Sequence, residues 1–182
     1  AAVGTCNLVV VFMIYFFIGL SNGSSIVLSQ CFGENDEEKV FKTVHTTMGL
    51  SFISGIVLMI VGLLSAETIL KMINTPEDVI GYAVTYIRVY FLSMIPMMIY
   101  NMGTGILRAM GDSKTPLYYL GAAGILNIIL DLVFIIVFNM GVMGAALATT
   151  LSQTLSAVLI LIKLISSNEV YKLHISKIRI DK

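Results

Sequence analysis

Of the 182 residues, the two best placed to do chemistry are Asn127 and Asp131. They sit in the run Gly124-Ile-Leu-Asn127-Ile-Ile-Leu-Asp131-Leu-Val-Phe-Ile-Ile-Val-Phe. From Thr115 up to Lys163, Asp131 is the only charge. Four residues apart on a helix, the two polar groups share one face and form a narrow stripe with Gly124. Ile125, Ile129, Leu132 and Ile136 point the other way, toward lipid or an apolar neighbour. Placing an ionised side chain deep in a membrane span costs about 3 kcal/mol on insertion scales, and such residues usually mark ion or proton paths. The next apolar stretch carries a second stripe at helical spacing: Ala145, Thr149, Ser152, Gln153 and Ser156. Two polar-lined helices in one hairpin suggest a buried cation or proton site. The alternative is that the Asn and Asp side chains simply bond neighbouring helices together.

The elements that must position these residues follow from composition. The chain is 57% hydrophobic and 12% charged, with a mean hydropathy of +0.93, whereas a soluble domain is about a quarter charged. This reads as an all-α, polytopic membrane bundle over residues 1–166 with a polar, basic tail at 167–182. Five spans are expected, at about 4–30, 43–64, 84–107, 116–138 and 144–165. The last two are joined by a turn at Asn139-Met-Gly141-Val-Met-Gly144. Cys6 and Cys31 are the two cysteines. They lie near opposite ends of the first helix, about 37 Å apart at the helical rise, too far to bridge. Cysteine-based metal or disulfide chemistry is therefore excluded.

Within the spans, Gly19 and Gly23 form a small-xxx-small pair that permits close helix approach. Phe12, Tyr15, Phe16 and Phe17 read as lipid-facing or core bulk, and His45 as an interfacial residue at a helix mouth. Residues 65–74 form an amphipathic stretch suited to the membrane surface. Thr75-Pro76-Glu77-Asp78 reads as a helix start, with a capping hydroxyl, proline at the first position and acids at the positive dipole end. Pro96 should kink the third span. Tyr82, Tyr86 and Tyr90 share a face, either as an aromatic belt or with Tyr86 looking into a cavity.

Charge placement sets orientation. Lys39, Lys42, Arg108, Lys114, Lys163, Lys172, Lys177, Arg179 and Lys182 fall in two connectors and the tail. On the other side is Lys71, with Arg88 at that interface. The positive-inside rule places the nine in the cytoplasm, the tail included. The chain opens at Ala1-Ala2-Val3 without a basic leader, so no signal peptide is expected, and it reads as a piece of something longer.

Four segments in order resemble the multidrug and toxic compound extrusion (MATE) family. They are Ser29-Gln30-Cys-Phe32-Gly33; Gly105-Ile-Leu107-Arg108-Ala109-Met-Gly111-Asp112-Ser-Lys-Thr115-Pro116; Asn127-Ile-Ile-Leu-Asp131; and Gly141-Val-Met-Gly144-Ala145-Ala146-Leu-Ala148-Thr149. The resemblance covers nearly the whole chain and implies helices two to six of the N-terminal lobe of a twelve-helix, two-lobe antiporter. Such antiporters export cationic or amphipathic compounds across the plasma membrane in exchange for H⁺ or Na⁺. It further implies a cation-coupling site at Asp131, Asn127 and Thr149 (or its neighbour Thr150), with Tyr86 and Gln153 near the substrate cavity. The expected partners are the lipid bilayer, a preceding first helix and a second lobe. No enzyme activity, nucleic acid or cofactor beyond the coupling ion is expected.

Two other classes compete. A lipid-linked oligosaccharide flippase of the same superfamily would line its cavity with basic residues, and the span interiors have none. An intramembrane aspartyl protease needs two carboxylates close enough to share a proton. Asp112, in a turn after Gly111, is distant from Asp131 at mid-span. A non-transporting membrane fragment is the structural alternative.

Overall fold

The computed structural model describes residues 2–73 and 75–174; side chains are described at Val11, Tyr15, Phe16 and from Ile18 onward. Cys6, Phe12, Phe17, Lys177, Arg179 and Lys182 therefore lie outside the described side chains. The described residues form six helices: α1 (Ala2–Gly33), α2 (Glu37–Met72), α3 (Glu77–Leu92), α4 (Met94–Ala109), α5 (Lys114–Leu132) and α6 (Gly141–Ser166). A single π-helical segment, Val133–Val137, continues α5. Helices α2 and α6, and α5 taken with its π segment, are each long and apolar enough to cross a membrane. The pair α3 and α4, bent by 45° at a short break, qualifies jointly as a fourth span. These four segments coincide with the expected spans at 43–64, 84–107, 116–138 and 144–165, and α1 covers the residues of the expected first span.

The bend lies at Ser93, one turn before Pro96. A proline has no N–H for the carbonyl four residues earlier and its ring presses on that carbonyl, so the helix parts upstream of the ring. Ser93 closes the gap: its hydroxyl donates to the Tyr90 carbonyl at 2.6 Å, and its own carbonyl accepts from Met97 N–H at 2.9 Å.

Three expectations need correcting. Residues 65–72 are not a separate surface helix but the end of α2, which at 36 residues is about 54 Å long. The stretch holds no glycine or proline to break it, Glu67 and Lys71 pair at 2.7 Å, and Ala66 and Leu70 are fully buried. At the start of α3, Pro76 itself is the capping residue, with extended ψ 144°, and Thr75 does not cap. The Thr75 hydroxyl is buried without a partner. Tyr86 and Tyr90 are not part of a belt: they are 9% and 7% exposed, against 66% for Tyr82, because their face of α3 packs into the core. The expected polar tail after α6 packs back onto the bundle over its described residues. Tyr171 and Leu173 are buried against Leu28, Val40 and Val44.

Helix α4 is the centre of the bundle, with eleven of its sixteen residues buried. It is flanked by α1, α2 and α6, while α3 lies against α2 and α6. Small residues set the seams. A Cβ on Gly55 would stand 2.9 Å from the Ile95 Cα, and one on Gly105 would meet the Ser21 carbonyl oxygen at 3.0 Å. The Ser21 hydroxyl donates to the Asn101 carbonyl at 2.6 Å, bonding α1 to α4. By contrast nothing lies within 4 Å of a Cβ on Gly19 or Gly23, so that expected close approach is not made among the described residues. Helix α5 is peripheral: only Pro116 and Ala123 are buried. Tyr100 fastens its first turn, its hydroxyl donating to the Pro116 carbonyl at 3.0 Å.

The α1–α2 turn, the α4–α5 turn and the end of α6 meet at one end of the bundle. Lys163 on α6 lies 3.9 Å from Asp112, and Leu173 N–H donates to the Leu164 carbonyl at 2.9 Å. Asp112 also accepts the Thr115 N–H at 3.0 Å. Burial opposes ionisation of its carboxyl, but the Thr115 hydrogen bonds and the Lys163 charge outweigh it and hold the group below the usual carboxylate range. The opposite end carries Lys71 and Arg88 around one pocket.

The α2–α4 seam yields a direct expectation. Gly55→Ala should lower stability by about 1–3 kcal/mol, the usual cost of overpacking, since backbone must shift. Gly23→Ala, with open space around it, should be neutral or slightly stabilising through helix propensity. Thermal unfolding in detergent reads both, and equal effects would contradict this packing.

Candidate cation site

Helices α5 and α6 lie against each other through their polar stripes. Between them is a pocket of about 200 Å³ whose walls include Ala123, Gly124, Asn127, Thr149, Ser152 and Gln153. The small pair Ala123-Gly124 opens the α5 wall at this level. The predicted lipid-side residues Ile125, Ile129, Leu132 and Ile136 are all more than half exposed, as a one-sided stripe requires.

The α6 hydroxyls spend their protons on their own helix. Thr149 donates to the Ala145 carbonyl at 3.0 Å, Ser152 to the Ala148 carbonyl at 2.8 Å and Ser156 to the Gln153 carbonyl at 3.0 Å. A hydroxyl whose proton is committed can offer only lone pairs to a further partner. The pocket wall formed by α6 therefore presents oxygen acceptors. On α5, the Asn127 Nδ2 and Asp131 Oδ1 atoms are buried and have no hydrogen-bond partner. In hydrocarbon each such group costs several kcal/mol if left bare. The bonding-glue reading predicts that these two atoms have helix partners, and they have none among the described residues.

The other expected site residues divide cleanly. Gln153 and Thr149 line the pocket with Asn127. Asp131 stands one turn further along α5. Thr150 faces away, its hydroxyl donating to the Val89 carbonyl of α3 at 3.3 Å and to the Ala146 carbonyl at 2.9 Å. Tyr86 belongs to the packed core around α3, its ring centroid 6.2 Å from that of Tyr90. It does not line this pocket.

The π-helical segment Val133–Val137, which helical periodicity does not announce, begins two residues after Asp131. Such segments frequently occur at functional sites. Within this run, Phe134 packs against Gly144 of α6. A Cβ on that glycine would meet the Phe134 Cβ at 3.0 Å. The next turn uses left-handed backbone at Asn139 (φ 52°) and Gly141 (φ 55°), residue types that tolerate it.

Chemically, one carboxylate, one amide and a hydroxyl lone pair suit a hard monovalent cation or a proton. No group of three His, Cys, Asp or Glu side chains able to hold a metal ion occurs among the described residues.

Comparison with known proteins establishes the family and the fold. The MatE family model matches residues 1–133. The chain is 38% identical over 153 residues to the probable multidrug resistance protein YoeA of Bacillus subtilis, covering 82% of this chain and 33% of that protein. It is 35% identical over 152 residues to the probable multidrug resistance protein YpnP of the same organism, covering 84% and 34%. The chain therefore spans about a third of the length of these curated relatives. Among solved structures it superimposes on the inward-facing conformation of a multidrug resistance MATE transporter with a TM-score of 0.88 and 29% identity, covering 93% of this chain and 39% of that one. The outward-facing conformation gives 0.89 and 27%, covering 100% and 40%.

A substitution separates glue from site. Asn127→Leu removes a buried amide nitrogen that has no partner, so thermal stability should hold or rise. Thr150→Val removes an interhelical bond and should cost about 0.6–1.7 kcal/mol. A marked loss for Asn127→Leu would show that the amide does hold helices together.

Proposed function

Because this chain belongs to the MatE family, we propose that it forms part of the first lobe of a cation-coupled efflux transporter. In this reading the full assembly exports small cationic or amphipathic compounds, drugs or metabolites, across the plasma membrane in exchange for H⁺ or Na⁺. Asp131 supplies the exchangeable charge, Asn127 and Thr149 supply neutral oxygen ligands, and Gln153 extends the polar wall toward substrate. Its partners are the lipid bilayer, a further helix against the exposed face of α5, and a second lobe. The carrying observation is the buried Asp131 Oδ1, which has no hydrogen-bond partner among the described residues, one turn from a pocket walled by hydroxyl lone pairs.

Near-equal superposition on inward-facing and outward-facing transporters supports a lobe that moves as a unit, as alternating access by rocking requires. The flippase reading gains nothing from the pocket, which has no basic lining residue. One lobe has nothing to rock against, so residues 1–182 expressed alone should confer no drug resistance.

The coupling test uses proteoliposomes containing a transporter that carries these residues as its first lobe. Asp131→Asn keeps the shape and removes the titration. It should abolish efflux driven by an imposed pH or sodium gradient while leaving the protein folded and inserted, and Asn127→Ala should weaken coupling less. If Asp131→Asn transports as fast as the parent under every gradient, Asp131 is not the coupling group. Orientation is checked in intact cells with cysteines placed singly at Asp36 and Met140 in a cysteine-free background. An impermeant thiol reagent should label position 140 and spare position 36; the reverse would place the basic end outside.

A further inference from the structure

The residues after α6 form a strap that returns to the bundle. Leu173 N–H donates to the Leu164 carbonyl at 2.9 Å and Lys172 N–H to the Glu169 carbonyl at 2.9 Å. Tyr171 and Leu173 are 9% and 1% exposed, seated against the ends of α1 and α2. The strap is fastened at His174, whose backbone N–H donates to His45 Nε2 at 3.0 Å across 129 positions of sequence.

His45 is 2% exposed. Its Nδ1 lies 2.8 Å from the Phe41 carbonyl oxygen, which can only accept, so Nδ1 carries the ring proton and Nε2 a lone pair. The two bonds together require a neutral ring in one tautomer. A second proton on Nε2 would set N–H against N–H and turn the fastening into a repulsion.

The surroundings narrow which group can act. The Phe41 ring packs on His45 at 4.0 Å, and the exposed His174 ring lies nearly parallel to it at 6.2 Å. Among the described residues, the other charged groups at this end are Glu37 in the first turn of α2, Glu38 and Lys42 on α2, paired at 2.7 Å, the Asp112–Lys163 pair, Glu34 and Asp36 with Lys39, Arg108 at the end of α4, Lys114 at the start of α5, and Glu169 and Lys172 on the strap. Protonating the His174 ring leaves its backbone N–H unchanged.

We propose that His45 is a pH-sensitive latch for the strap formed by residues 167–174. Histidine is the side chain that ordinarily changes charge between pH 5 and 8. Both ring nitrogens are committed in the docked strap, Nδ1 to the Phe41 carbonyl and Nε2 to the His174 N–H, so docking requires the neutral ring and acid opposes it. Release exposes Tyr171, Leu173 and the apolar ends of α1 and α2 beneath them. The latch depends on neither Asp131 nor the direction of transport.

Hydrogen–deuterium exchange of the full chain in lipid nanodiscs tests it, with protection corrected for the intrinsic pH dependence of amide exchange. At pH 8 the 167–174 amides should be protected, and at pH 5 that protection should fall several-fold, up to about tenfold, the scale of one neutral hydrogen bond. The α4 amides should keep theirs and so report an intact fold. His45→Gln, which retains an acceptor and cannot titrate, should keep strap protection at both pH values, and His174→Ala should behave as the parent. Parent protection unchanged between pH 8 and pH 5 overturns the latch. So does a His45→Gln chain that loses protection with acid as the parent does. Should His45→Gln lack strap protection at both pH values, His174→Ala decides: an acid loss that persists supports His45, and one that vanishes assigns the switch to His174.

Discussion

Inside an apolar slab, water is not available to a polar group, so every donor and acceptor must be satisfied by the chain or by something the chain binds. That constraint explains the placement of the hydroxyls. Ser21 on α1 bonds the α4 backbone and Thr150 on α6 bonds the α3 backbone, while Thr149, Ser152 and Ser156 turn inward to their own helix. With these settled, α4 can run through the middle of the bundle with glycines at its closest contacts. Four buried side-chain atoms are left without a partner among the described residues, on Thr75, Thr104, Asn127 and Asp131, and the last two lie on the helix that the rest of the described chain barely covers.

The asymmetry between α4 and α5 follows from what each face has to meet. Helix α4 is wrapped on three sides, and its tight seams at Gly55–Ile95 and Gly105–Ser21 leave little room for sliding. Helix α5 rests mainly on α6, with its first turn fastened by Tyr100 and its last turn loosened into a π segment. The lobe thus has a rigid centre and a lightly held edge that carries Asp131, a division of labour that the proposed cation exchange would use. The two bundle ends differ as well: one gathers basic connectors and the returning strap, the other a pocket of mixed charge around Lys71 and Arg88.

Much of this was legible in the sequence. The spans were readable because hydrocarbon length and apolar composition are properties of local stretches, and Pro96 announced the bend because its missing N–H is a property of the residue. The α5 stripe could be read because helical periodicity alone fixes which side chains share a face. Asn127, Asp131, Thr149 and Gln153 were all recognisable as candidates on that basis, and the ordered motifs tied them to the MatE family. What periodicity cannot supply is the identity of the neighbour. Tyr82, Tyr86 and Tyr90 have the same spacing and type, yet two are buried and one is not, because only part of that face meets another helix. Thr149 and Thr150 are adjacent and identical, and only tertiary packing sends one toward the pocket and the other toward α3. The lone His45 and the basic stretch after α6 looked unrelated across 129 positions. Their hydrogen bond exists because the fold brings the mouth of α2 and the end of α6 to the same end of the bundle, and no local pattern encodes that.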